Sequence, residues 1–164
     1  MKTVILFRHG KSDWDAIYAR DHDRPLSKRG IKASKKMGEH LSKINEIPGL
    51  VLCSTSLRTR STLKHAYKKG NWDSAINFEK SIYHSKLSSI IELLRKQNDF
   101  YNRICIIGHE PTFSNIIYKY RDLHNFTFPT ACIAKIDFEC KVWKDIKFGF
   151  KSSLRWIVKP KDIN

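Results

Sequence analysis

Two short sequences carry most of the chemistry in this chain. Arg8-His9-Gly10 follows the apolar run Val4-Ile5-Leu6-Phe7, and Gly108-His109-Glu110 follows Ile104-Cys105-Ile106-Ile107. Between them, Ser54 follows Leu50-Val51-Leu52-Cys53, with Arg58 shortly after. Singly, each residue has an ordinary reading: Arg58 as a surface charge, His109 as a loop histidine, Gly10 and Gly108 as sharp turns. Together, two guanidiniums and two imidazoles at the ends of buried strands repel one another, and the cluster makes physical sense around an anion. A tetrahedral phosphate suits it, because Arg donates bidentate hydrogen bonds to phosphate oxygens. Helix N-termini near 55–58 or 111–113 are expected to add free N–H groups. A neutral imidazole is a competent nucleophile toward phosphorus. One His would attack while the other, with both Arg, stabilises the equatorial oxygens. That is phosphoryl transfer through a phosphohistidine, and it requires no metal or other cofactor. No Cys-x-x-Cys pair or zinc-type His spacing accompanies it.

The elements that must position these groups follow from periodicity. Lys2–Phe7 predicts a buried strand. Residues 26–45 predict a helix, with Ser27 as N-cap and Ile31, Met37, Leu41 and Ile44 on one face. Leu50–Cys53 predicts a second strand. Residues 56–69 predict a helix with Leu57, Leu63, Ala66 and Tyr67 inward and Gly70 as its stop. Ile76–Phe78 is a weak third strand, and Leu87, Ile90, Ile91 and Leu94 have helical spacing. Arg103–Ile107 is a fourth strand. Pro111 opens a helix with Phe113, Ile116, Ile117 and Tyr120 on its apolar face. The period then becomes two at Cys132, Ala134, Ile136, Phe138 and at Leu154, Trp156, Val158, predicting two final strands. The expected architecture is a three-layer α/β/α sandwich with a mainly parallel central sheet, one domain over 1–164. In such folds the ligand site lies beyond the carboxyl ends of the strands.

Composition narrows the class. A chain of 164 residues buries roughly 70% of its unfolded surface and needs no staple. No apolar run approaches a membrane span, and Arg8 and His9 interrupt the first apolar stretch before it could serve as a signal peptide. The expectation is therefore a cytoplasmic monomer. Its four cysteines, Cys53, Cys105, Cys132 and Cys140, read as free thiols. The chain holds 31 Lys+Arg against 16 Asp+Glu, a net charge of +15 that attracts anionic partners. The lysines are scattered and no nucleic-acid motif accompanies them, so a solvated basic surface is favoured over a nucleic-acid site.

Arg8-His9-Gly10 after an N-terminal strand resembles the signature of the histidine phosphatase superfamily, which has the phosphoglycerate mutase-like fold. The chain resembles its small SixA-type phosphohistidine phosphatases more specifically. The resemblance runs through Asp23-Arg24-Pro25-Leu26 with Gly30, through Ser54 to Thr62 around Arg58, and through Ile82-Tyr83-His84, Gly108-His109-Glu110-Pro111 and Phe128-Pro129-Thr130. It implies His9 as the phosphorylated nucleophile, with Arg8, Arg58 and His109 as the phosphate pocket. Thr59 and Ser61 depart from the family pattern after the pocket Arg, and Lys11 and Ser12 depart from the mutase pattern.

The substrate question turns on the leaving group. An alkoxide resembles hydroxide, whose conjugate acid has a pKa of ~15.7, and needs a positioned acid. Phosphohistidine releases an imidazole of pKa ~6.5, which can be protonated without enzymic help. The sequence offers no clear acid. Glu79 at the end of the third strand is the best-placed candidate, with Glu110, His84, Asp13 and Asp15 as others. These points favour a phosphohistidine or phosphoramidate group on protein. The alternatives are a small phosphomonoester handled by the same mechanism, and a catalytically weak phosphate- or polyanion-binding module.

Overall fold

The computed structural model describes residues 1–121 and 125–164. Six strands form one sheet: β1 (Lys2–Arg8), β2 (Leu50–Ser54), β3 (Ala75–Glu79), β4 (Arg103–Gly108), β5 (Ile133–Phe138) and β6 (Ser152–Val158), in the order β3-β2-β4-β1-β5-β6. The first four are mutually parallel, β5 runs antiparallel to β1, and β6 runs antiparallel to β5. The helices are α1 (Lys28–Lys43), α2 (Leu57–Gly70), α3 (Leu87–Arg95) and α4 (Thr112–Ile117). Helices cover both faces of the sheet, as the strand–helix alternation predicts.

The central strands alternate their side chains between two cores. Val4 and Leu6 pack with Ile90, Leu94, Phe113, Ile116 and Ile117 from α3 and α4. Ile5 and Phe7 pack with Met37, Leu41, Leu63 and Ala66 from α1 and α2. Burial on both sides is why β1, β2 and β4 read as continuous apolar runs. By contrast β3 is an edge strand whose side chains are largely exposed, so its sequence signal is weak.

Ser27 caps α1 as expected, accepting from the Gly30 amide at 3.1 Å. Gly70 has a different role from the one its position suggests. The left-handed residue that ends α2 is Asn71, at φ 51°. Gly70 is needed for close packing, since a Cβ there would lie 2.4 Å from the Gly38 carbonyl oxygen. Leu57 is exposed at the start of α2, and Tyr120 lies beyond the end of α4. Trp143, in a 3₁₀ turn between the last two strands, is fully buried against the core and donates to the Tyr101 carbonyl at 2.8 Å. Cys53, Cys105 and Cys132 are buried and Cys140 half-buried, and all four are free.

Candidate active site

The parallel register brings the ends of β2, β4 and β1 side by side, with β4 between the other two. His9 leaves the end of β1 and His109 the end of β4, and their ring centroids are 5.3 Å apart. Arg8 is the last residue of β1, and Arg58 lies in the first turn of α2. A cavity of about 320 Å³ is lined by all four, together with Lys11, Ser12, Trp14, Arg24, His84, Glu110 and Thr130.

Backbone contacts fix the loop after β1. The Gly10 amide donates to Thr62 Oγ1 at 2.9 Å, and the His9 carbonyl accepts from Ala131 N at 2.9 Å. A Cβ at Gly10 would lie 2.6 Å from the Gly30 carbonyl oxygen, so glycine lets this loop settle against α1. His9 Nδ1 lies 2.7 Å from the Gly10 carbonyl oxygen, which can only accept. That contact places the ring proton on Nδ1 and leaves the lone pair on Nε2. His109 Nε2 lies 2.8 Å from Ser54 Oγ. With the Ser54 hydroxyl donating, the ring proton of His109 sits on Nδ1.

The arginines are held in place by their other contacts. Arg8 Nη1 donates to the Phe128 carbonyl at 2.7 Å. Arg58 donates through Nη1 to the Asp21 carbonyl at 2.9 Å and through Nη2 to Asp21 Oδ2 at 3.1 Å. Arg24 pairs with the other Asp21 oxygen and stacks on Trp14, its Cζ 3.7 Å from the ring centroid. Asp21 also accepts from the Tyr83 hydroxyl at 2.6 Å, and its carboxyl is held down at about 2 by that bond and by the two arginines.

Arg8 Nε, Arg24 Nε, Arg58 Nε, Ser12 Oγ and His109 Nδ1 are buried without a hydrogen-bond partner among the described residues. All five belong to residues lining this one cavity. Orphaned buried donors are costly and rare in native proteins, and four N–H donors with a hydroxyl around one space match the demands of a tetrahedral oxyanion. Burial, followed by the positive charges of Arg58, Arg8 and Arg24, lowers His9 to about 3. Burial, then His9 and Arg58, lowers His109 to about 2. Both rings are therefore neutral at neutral pH.

That neutrality has a consequence for stability. Both histidines have folded values below the ordinary 6.5. Between pH 6.5 and 3 the unfolded chain binds protons that the native chain does not, so stability falls as pH drops through that window. Urea titrations at pH 7 and pH 5 should differ by roughly 4 kcal/mol. The difference should shrink in a His9→Gln variant.

Four of the five predicted site residues converge, and Glu79 does not. It pairs with Ser54 across the β3–β2 ladder at the sheet edge and is absent from the cavity lining. Of the other acid candidates, Glu110 and His84 do line the cavity. At the starts of α2 and α4 the Thr59 amide donates to Ser56 Oγ and the Ser114 amide to Glu110. Arg24 and its anchor Asp21 were missed as site residues. The signal was present in Asp23-Arg24-Pro25-Leu26, whose isolated bridge between Leu26 and Ser12 ties this segment to the loop after β1.

An α/β/α sandwich that gathers two neutral imidazoles and three guanidiniums at the ends of parallel strands defines a histidine-centred oxyanion site. The branch 1 profile of the histidine phosphatase superfamily matches residues 4–80 of the chain. An uncharacterized chloroplastic protein of Arabidopsis thaliana is 42% identical over 84 residues, 50% of this chain and 38% of that protein. An uncharacterized protein of Mycobacterium tuberculosis is 35% identical over 107 residues, 65% of each chain. The chain thus spans less than two thirds of these relatives. The protein histidine phosphatase SixA, solved with tungstate, superposes with a TM-score of 0.81 at 22% identity, covering 98% of both chains. The alpha-ribazole phosphatase of Shigella flexneri gives 0.67 at 16% identity over 96% of both. Both of these are likenesses of fold. Among the described residues no helix is long and apolar enough to cross a membrane.

Proposed function

We propose that the protein hydrolyses phosphohistidine, or a related phosphoramidate, on protein through a covalent phosphohistidine at His9. The observation that carries this reading is the hydrogen bond from His9 Nδ1 to the Gly10 carbonyl, which leaves a neutral Nε2 among three arginines. Nε2 attacks phosphorus, the N–P bond of the substrate breaks, and the released imidazole takes a proton from solvent. Arg8, Arg58 and His109 hold the equatorial oxygens. Water then attacks the phosphoryl group on His9, giving inorganic phosphate and restoring the neutral ring.

Leaving-group chemistry supports a phosphohistidine substrate. Among the described residues Glu110 is the one carboxylate lining the cavity, and both its oxygens accept from Ser114, through the amide at 2.8 Å and through the hydroxyl. That favours substrates whose leaving group needs no enzymic acid. The rim fits a macromolecule, since Trp14 is 63% exposed there and Ile17 on the same loop is fully exposed.

A second reading has one observation in its favour. His84 lines the cavity, is exposed and is held at φ 54°, where it could protonate an ester oxygen. The same mechanism would then act on small phosphomonoesters. Rates on a phosphohistidine protein, p-nitrophenyl phosphate and common sugar phosphates, measured side by side, separate the two. Phosphohistidine should exceed the alkyl esters by about 10² or more, the scale of a missing general acid. Activity should persist in excess EDTA. Faster alkyl-ester hydrolysis that collapses in His84→Gln would establish the second reading instead.

A further inference from the structure

A second cavity, of about 250 Å³, adjoins the phosphate pocket and shares Lys11 and Thr130 with it. Its remaining lining is Arg29, Ala33, Pro129, Lys159, Pro160 and Lys161. Every ionisable side chain on this lining is a cation. Among the described residues none of Lys11, Arg29, Lys159 and Lys161 forms an ion pair. Asp162 is the acidic residue of the adjacent turn, and its carboxylate accepts from the Lys159 amide at 2.8 Å.

The wall between the two cavities is fixed. The Lys11 carbonyl accepts from the Ser27 amide at 2.9 Å and from the Ser27 hydroxyl at 3.0 Å, which ties Lys11 to the start of α1. Next to Thr130, Ala131 N donates to the His9 carbonyl. On the far side, the 3₁₀ turn Pro160–Asp162 carries Lys161 and follows Lys159, and Ile163 beyond it packs on the α1–α2 core. Four unpaired cations on three separate elements therefore face one space beside the phosphate pocket. A cleft lined by one sign of charge focuses its field and concentrates ions of the opposite sign.

We infer that this cavity is a second anionic subsite: the substrate carries a negatively charged group beyond the phosphoryl group it loses, held by Lys159, Lys161 and Arg29. This rests on the phosphohistidine reading and adds a preference to it, for phosphohistidines flanked by acidic side chains. A second phosphate on a small molecule would present the same chemistry, and the test separates these sources.

The experiment compares kcat/KM for two phosphohistidine peptides, one with acidic and one with neutral flanks. It adds a small bisphosphate against its monophosphate, and phosphoramidate as minimal substrate. Each substrate is run on the wild-type chain and on Lys159→Glu/Lys161→Glu. For the wild type, the acidic peptide should be favoured about tenfold, the scale of two or three partly exposed charge pairs, and less at high salt. In the variant that ratio should fall to about one or below, while phosphoramidate turnover reports that the phosphate pocket is intact. Equal rates on both peptides in the wild type overturn the inference, as does an unchanged ratio in the variant or an equal loss on phosphoramidate. A preference confined to the bisphosphate assigns the subsite to small molecules and overturns the peptide assignment. If no phosphohistidine peptide is hydrolysed while esters are, the chemistry proposed above fails. The bisphosphate ratio then tests the subsite independently.

Discussion

His9→Ala should reduce turnover to the uncatalysed background, a loss of roughly 10⁵-fold or more, the scale that follows removal of an enzymic nucleophile. The ring is only 6% exposed, so the variant must be checked for folding by circular dichroism and a thermal melt. Removing a buried imidazole that is neutral in the native state leaves no charge unpaired, and the fold should survive with a modest loss. Labelled substrate quenched in alkali should place phosphate on His9 of the wild-type protein. The hydrogen bond to the Gly10 carbonyl specifies the atom, because Nδ1 is engaged and Nε2 carries the lone pair. The phosphohistidine should therefore be the Nε2 isomer, which phosphorus NMR distinguishes from the Nδ1 isomer. Label on His109, or activity in His9→Ala within tenfold of wild type, would remove His9 from the mechanism. Label on Nδ1 would mean that the loop opens during catalysis.

The sequence made this site legible where buried parallel strands end. Continuous apolar runs announce β1, β2 and β4, and the rule that ligands sit beyond the carboxyl ends of such strands collects Arg8, His9, Arg58 and His109 without side-chain geometry. Glu79 failed under the same rule. Its strand is the exposed edge of the sheet, and position at a strand end says nothing of distance from the centre of the row. Asp21 and Arg24 were hidden for another reason. They lie outside the regular strands and long helices that periodicity detects, in and just after a 3₁₀ turn. Only the tertiary fold places Asp21 against Arg58, 37 residues further along the chain. The pocket of lysines at the C-terminal turn was equally invisible, because its members are scattered among many others that face solvent.

Arg58 carries the second large expectation. Its guanidinium is 5% exposed and is aimed by two bonds to Asp21, one to the carbonyl and one to the carboxylate. Asp21 is in turn held by Arg24 and by the Tyr83 hydroxyl. A donor fixed in this way stabilises charge on the phosphoryl oxygens without reorganising during the reaction. Arg58→Ala should lower kcat by about 10²–10³, the scale of losing one preorganised oxyanion donor. Arg58→Lys should recover little of that loss, since an ammonium restores the charge but cannot span the Asp21 carbonyl and carboxylate while facing the cavity. Asp21→Asn should be milder, because the backbone carbonyl contact to Arg58 survives. A second readout separates electrostatics from packing. Burial lowers His9 most, and Arg58 is the strongest of the positive charges that lower it further. Removing it should raise the His9 pKa in an NMR titration, whereas a merely structural role would leave the titration where it was. A kcat within threefold of wild type in Arg58→Ala, with the His9 titration unmoved, would exclude Arg58 from the phosphate pocket. The anion would then have to be held by Arg8, Arg24 and His109.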